Sequence, residues 1–282
     1  MPEESKTDRS ALFGGAVPAG IQTKDVMRDD FGFEIPVESI PLPSNGVVYP
    51  ADSPLHCRET VDIRAMTARE EDILTSRALI KKGTVITELI KSCLIDKRIQ
   101  VQDMIAGDRN AIMVALRITG YGAEYNVEAD CPACGVRSKQ EFNLGEMPIK
   151  RLQIEPVAKG QNLFEFKLPM TKKTVNFRFL SGRDEEEITT TQERAKKQGA
   201  LADNIVTTRL QYCLVSIDGK TDRSSINGFI RSMPARDSMA LRKFIEANEP
   251  GIEMKSDFDC SSCNEVNEVR VPLGASFFWP DT

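Results

Sequence analysis

Two short stretches, 131-CPAC-134 and 260-CSSC-263, hold the residues best suited to chemistry. Cysteine thiolates are soft metal ligands, and a Cys-x-x-Cys turn at a hairpin tip can aim both sulfurs to one side. Two such knuckles facing each other would set four sulfurs at tetrahedral corners, about 2.3 Å from a zinc ion. With Cys131, Cys134, Cys260 and Cys263 all ligating, no position stays open for water, so Zn2+ there is structural and not catalytic. Gly135 accepts left-handed backbone after the first pair, and Asn264 stands at the same place after the second. A disulfide or free thiols remain an alternative, as does an iron–sulfur or redox pair. A redox pair usually follows a strand and opens a helix, whereas both flanks here read as extended.

The intervening segment, 135–259, is far longer than in a compact zinc ribbon, so spacing alone does not join the pairs. An internal repeat does. The stretch 61-VDIRAMTAREED-72 is echoed by 175-VNFRFLSGRDEE-186, each a short strand followed by an arginine and a capping signal, Thr67 with Glu70 and Ser181 with Asp184. The apolar spacing of 86-ITELIKSCLID-96 is helical, and 205-IVTTRLQYCLVSID-218 echoes it with Cys213 at the place of Cys93. The segment 107-GDRNAIMVALRI-118 is echoed by 235-ARDSMALRKFI-245, and 124-EYNVEADCPACGVRSKQEFNL-144 by 253-EMKSDFDCSSCNEVNEVRVPL-273. Two copies packed about a pseudo-twofold would bring equivalent hairpins together. The expected fold is therefore α+β: tandem duplicated helical domains, each ending in a β-hairpin zinc knuckle, with the knuckles pairing into a zinc-ribbon-like four-cysteine site. The expected boundaries are 1–36 for a flexible N-terminal arm, 37–150 for the first repeat and 151–282 for the second.

Other residues carry bland readings. His56 is the single histidine, which excludes His-rich metal sites, and it reads as a loop residue. Cys93 and Cys213 lie on apolar helix faces and read as core. The string 217-IDGKTD-222 lacks the upstream glycine of a phosphate loop and reads as a turn. The run 184-DEEE-187 fits the first turn of a helix, where carboxylates favour the dipole. Arg64 and Arg178 read as partners of buried carboxylates. Phe277, Phe278 and Trp279 read as a cap on the chain's own core, with an interface as the other reading.

Composition bounds the function. Of the 282 residues, 40% are hydrophobic and 28% charged, with net charge -5 and a pI of about 5.3. An acidic surface argues against wrapping a nucleic-acid backbone. No apolar run approaches the roughly 20 residues that cross a bilayer, and the N-terminus lacks the order of a secretion signal.

The strings IPLPSNGVVYP, VDIRAMTAREEDIL, ITELIKSCLID, ALRITGYG and CPACG together resemble the T4-like bacteriophage baseplate protein family. The resemblance covers residues 37–145, and the second half matches as a diverged copy. Members of that family are described as baseplate hub subunits or hub assembly proteins of contractile tails. The resemblance implies a non-catalytic structural or assembly part of the virion tail baseplate, assembled in the host cytoplasm. It implies other baseplate hub proteins and the tape-measure protein as partners, in a symmetric assembly, with no membrane. The alternative is a zinc-ribbon adaptor binding nucleic acid or transcription machinery, suggested by Arg137, Lys139, Lys150 and Arg151 and opposed by Glu141, Glu146 and the overall charge.

Overall fold

The computed structural model describes residues 22–28, 32, 34–197, 204–271 and 275–278. In chain order the first elements are β1 (Gln22–Arg28), β2 (Glu34–Pro41), β3 (Thr60–Arg64), α1 (Ala68–Thr75), α2 (Arg77–Lys82), α3 (Val85–Cys93), α4 (Ala106–Tyr121), β4 (Glu124–Asp130) and β5 (Arg137–Asn143). There follow β6 (Ile149–Lys150), β7 (Phe164–Lys167), β8 (Thr174–Phe177), α5 (Gly182–Lys197), α6 (Ile205–Cys213), β9 (Leu214–Ile217), α7 (Arg223–Ser232), α8 (Ala235–Asn248), β10 (Gly251–Ile252), β11 (Lys255–Asp259) and β12 (Val266–Arg270). The class is mixed helix and sheet. No described helix is long and apolar enough to cross a membrane.

The chain forms two compact units. One takes residues 22–113 and 149–252; the other takes the described parts of 114–148 and 253–282. Each unit thus draws on both halves of the sequence, and the division falls within α4.

The larger unit holds two antiparallel three-stranded sheets, ordered β1-β2-β3 and β7-β8-β9. In each, the strand before the helix run alternates: Val61 and Ile63 are buried in β3, Val175 and Phe177 in β8. Apolar positions two apart fall on one face of a strand and reach the core together. Of the segment expected to be a flexible arm, residues 1–21 lie outside the described residues. Gln22–Arg28, however, are strand β1, paired along β2 from Gln22↔Ser39 to Arg28↔Glu34. The physical reason is that pairing uses backbone groups, which a polar strand supplies as well as an apolar one. Without β1, β2 would present an open edge.

Four helix starts in this unit carry a buried carboxylate. At α1, the backbone N–H of Thr67 donates to Glu70 Oε2 at 2.9 Å, and Thr67 Oγ1 donates to the same oxygen at 2.7 Å. Arg64, at the end of β3, donates to both Glu70 oxygens at 3.0 and 2.7 Å, and Ser92 Oγ donates to Oε1 at 2.5 Å. The same device opens α5. Arg178 donates to both Asp184 oxygens at 2.7 Å, and Ser181 donates through N–H and Oγ at 2.8 and 2.6 Å. The arginines are therefore structural partners, as their position after each strand implies.

A second pair of buried aspartates holds the turns that follow β2 and β7. Asp108, in the first turn of α4, accepts Ser44 N–H at 3.0 Å, Ser44 Oγ at 2.6 Å and Tyr49 Oη at 2.6 Å. This gives the Ser-Asn-Gly-Val-Val-Tyr string a physical role. Gly46 within it has φ +70°, and a Cβ there would lie 2.3 Å from the Leu55 carbonyl, so only glycine fits. Asp237, in the first turn of α8, accepts the N–H groups of Met170 and Thr171 at 2.7 and 2.9 Å. Both turns follow a Leu-Pro pair, Leu42-Pro43 and Leu168-Pro169.

Two outcomes follow from these clamps. Asp108→Ala or Asp237→Ala leaves buried donors unpaired and should lower stability by about 2–3 kcal/mol, measured by denaturant unfolding. For Glu70, burial opposes ionisation, but the hydrogen bonds from Arg64, Ser92 and Thr67 outweigh it and lower the pKa from 4.5 to about 2. A depressed carboxyl pKa stabilises the fold above pH 4.5, and that contribution fades as pH falls toward 2. Glu70→Gln should remove this part of the acid sensitivity and cost about 3 kcal/mol at neutral pH.

Candidate metal centre

The four cysteines lie in the smaller unit, at the tips of two antiparallel hairpins. Strands β4 and β5 pair from Glu124↔Asn143 to Asp130↔Arg137. Strands β11 and β12 pair from Lys255↔Arg270 to Asp259↔Val266. In both, the last strand pair opens onto a turn that begins with cysteine. The turns are built alike. Cys131 N–H donates to the Val136 carbonyl at 3.0 Å and Gly135 N–H to the Cys131 carbonyl at 2.8 Å; Cys260 N–H donates to Glu265 at 3.1 Å and Asn264 N–H to Cys260 at 2.8 Å. Gly135 and Asn264 have φ of 73° and 56°, the left-handed backbone expected at those two positions. Flanking both pairs with strands removes the strand-then-helix setting of a redox Cys-x-x-Cys.

The sulfurs converge. Cys131 Sγ lies 3.8 Å from Cys263 Sγ, and Cys134 Sγ lies 3.6 Å from Cys260 Sγ. All four ligand atoms fall within 4.8 Å of one another, and none of the four residues is in a disulfide. Four sulfurs about 2.3 Å from one tetrahedral zinc sit about 3.8 Å apart, so the cluster is compatible with a zinc site. Cys131 and Cys260 are buried, each 2% exposed, with Cys263 and Val269 packed against them. Cys134 is exposed.

The charges respond to this crowding. Backbone amides of Cys263 and Ser262 lower the Cys260 pKa to about 6. Cys263 receives an amide from Glu265, yet burial and the neighbouring sulfurs push it up to about 12. One sulfur ionises readily and the next resists a second negative charge beside it. A divalent cation would relieve that repulsion.

Beneath the knuckles, Tyr125 and Phe277 pack edge to face at 5.3 Å between centroids, and Phe277 and Phe278 at 5.2 Å. Phe277 and Phe278 are buried, so these two rings cap the chain's own core; Trp279 lies outside the described residues. Arg117 is 2% exposed and donates to three carbonyls, those of Phe277 at 2.9 Å, Gly122 at 2.7 Å and Glu124 at 3.0 Å. It ties the C-terminal segment to the start of β4.

The other candidates take structural places. Cys93 and Cys213 are buried, and burial pushes both thiols up to about 12. His56 sits in a loop, its Nδ1 2.6 Å from the Tyr49 carbonyl. Within 184-DEEE-187, Asp184 pairs with Arg178 and Glu185 with Arg209, while Glu186 accepts from Thr87 and Gln102. The Asp218-Gly219 pair lies in a left-handed turn, at φ 47° and 79°, as read for the Gly-Lys-Thr string. Arg137 lies beside Glu128 and Asp130, and Arg151 donates to Leu42 and Asn45. Sequence reasoning missed Asp108 and Asp237, although each lies in the first turn of its helix and a Leu-Pro pair stands upstream of each.

The chain matches the family described as T4 bacteriophage base plate protein over residues 39–279. No curated protein and no solved structure matches it. The match takes in both knuckles, all four carboxylate clamps and nearly every described element, so the chain belongs to the T4 bacteriophage base plate protein family.

Proposed function

We propose that this protein is a non-catalytic building or assembly part of the hub region of a contractile-tail baseplate, held in shape by one structural zinc ion. The observation that carries the metal is the sulfur geometry: four cysteine sulfurs within 4.8 Å and outside any disulfide, supplied by two turns of the same construction. Cys131, Cys134, Cys260 and Cys263 would be the ligands, and a closed tetrathiolate leaves zinc no open position for catalysis. The family supports a baseplate role; the hub location and tape-measure contact rest on the resemblance of the motifs.

The metal reading is joined to a duplication, with residues 37–150 and 151–282 as the two copies. Supporting it are the paired clamps Arg64–Glu70 and Arg178–Asp184, the paired aspartates Asp108 and Asp237, and the matching knuckles. The adaptor reading draws little support, because Arg137 is matched by acidic neighbours on its own hairpin.

Three measurements test this. Elemental analysis of the purified protein should find one zinc per chain, and a metal-free sample with full structure would overturn the metal reading. Cys260→Ser should loosen residues 124–143 and 255–270 together in hydrogen exchange, since they share the ion; loosening of 255–270 alone would overturn the shared site. Mass spectrometry of purified tails and baseplate assembly intermediates should find this chain in at least one of them, and its absence from both would overturn the assembly role.

A further inference from the structure

A cleft of about 490 Å³ lies in the larger unit between α1 and the end of α3. Its walls carry Arg64, Arg69, Lys91 and Lys97 against one acidic residue, Glu88, over Ile73 and Ser92. On a chain of net charge -5 this is a local excess of positive charge. Arg64 is already engaged by Glu70. Arg69, Lys91 and Lys97 are exposed, and among the described residues none of the three has an ion-pair partner. Lys97 Nζ donates only to the last-turn carbonyls of α3, Lys91 at 3.0 Å and Ser92 at 2.9 Å. Burial, then the charge of Arg64, hold its pKa below the usual lysine value, although the charge of Glu70 works the other way.

The second copy shows what such a place looks like when satisfied. In the duplicated frame, Glu70 aligns with Asp184 and Cys93 with Cys213. Arg69 then corresponds to Arg183, which is paired with Asp103 at 2.8 Å. Ile73 corresponds to Glu187, whose charge helps to raise the Tyr212 pKa. Lys91, Ser92 and Lys97 correspond to Gln211, Tyr212 and Ile217. Glu88 of the cleft corresponds to Thr208. The second place therefore has two cations, Arg178 and Arg183, against Glu187, where the first has four cations against Glu88 and a serine hydroxyl in place of the ring.

We infer that the first-copy cleft is a docking site for an acidic segment of a partner protein, whose carboxylates would balance the excess of cations that the corresponding place in the second copy does not carry. Arg69 and Lys91 would take the incoming carboxylates, with Ile73 as the apolar floor under the segment. This deepens the assembly reading and rests on it only for the partner being another baseplate protein. Binding itself is a property of the isolated chain.

The probe is fluorescein-labelled hexaglutamate, with hexaglutamine as control and tripolyphosphate as competitor, read by anisotropy on the full chain. Hexaglutamate should bind, hexaglutamine should not, and added salt should weaken binding. Arg69→Glu combined with Lys91→Glu should weaken it by about ten-fold or more with the unfolding midpoint unchanged. An equal charge change outside the cleft, Arg242→Glu with Lys243→Glu, should leave binding intact. If the double variant fails to fold, Lys91→Gln, which installs the second copy's residue, should weaken binding in its place. No hexaglutamate binding, equal loss in both double variants, or binding of tripolyphosphate without the peptide would overturn the proposal. None of those results would alter the zinc content or the presence of the chain in baseplates, so the two readings fail separately.

Discussion

A carboxylate buried in the first turn of a helix is the constraint on which the larger unit depends. A helix start leaves backbone N–H groups without intrahelical partners, and its dipole is positive there. Glu70, Asp184, Asp108 and Asp237 each place a carboxyl group in that position, and each is almost wholly shielded from water. Such burial is tolerable only when the polar group is met by hydrogen-bond partners. The donors come from the chain segment that must turn there: an arginine ending a strand, a cap residue, or the amides after a Leu-Pro pair. The carboxyl group thus joins three local decisions, where the strand stops, how the turn runs and where the helix begins. Removing it would release all three.

The same constraint recurs at two helix starts of different sequence. Glu70 reaches back from a Thr-Ala-Arg-Glu start and Asp184 from a Ser-Gly-Arg-Asp start; the shorter acid still receives two bonds from its arginine and two from its serine. What must persist is a carboxylate, an arginine and a hydroxyl at fixed separations. The core between these points is free to vary, with Val61 and Ile63 in one strand and Val175 and Phe177 in the other.

Elements with a periodic apolar signal were legible in the sequence. The strand at 124–130, the helix after Thr67 and the apolar face of α3 stand where their patterns place them, because burial selects residues at spacings of two or of three to four. The cysteine turns were legible for another reason: Gly135 and Asn264 are required by backbone geometry regardless of packing. Strand β1 was not, because its sequence, QTKDVMR, has no alternation and its pairing is made through backbone groups. Helix α2 was missed because RALIKK is too short to show a period. Asp108 and Asp237 were hidden because an acid in a first helical turn usually faces water, and nothing local reveals that the turn lies under a distant loop.

The smaller unit poses a different physical problem. It is built from two hairpins, half a helix and a short aromatic segment, and an isolated two-stranded hairpin is marginal in water. Its apolar contribution is concentrated at one end, around Tyr125, Phe142, Phe277 and Phe278, while both hairpin tips carry exposed valines, Val136 and Val266. At the far ends of β4–β5 and β11–β12 there is no comparable core among the described residues, only the sulfur cluster and one long Gln140-to-Asp259 hydrogen bond of 3.4 Å. Small domains short of apolar area commonly rely on a metal or a disulfide, and among the described residues the tips share no apolar core apart from the sulfur cluster. A structural ion there would also close the long loop between the two cysteine pairs, restricting the unfolded chain as well as holding the folded one. A cluster of four cysteines at the hairpin tips, and not beside the aromatic core, is the arrangement that this distribution of apolar area requires.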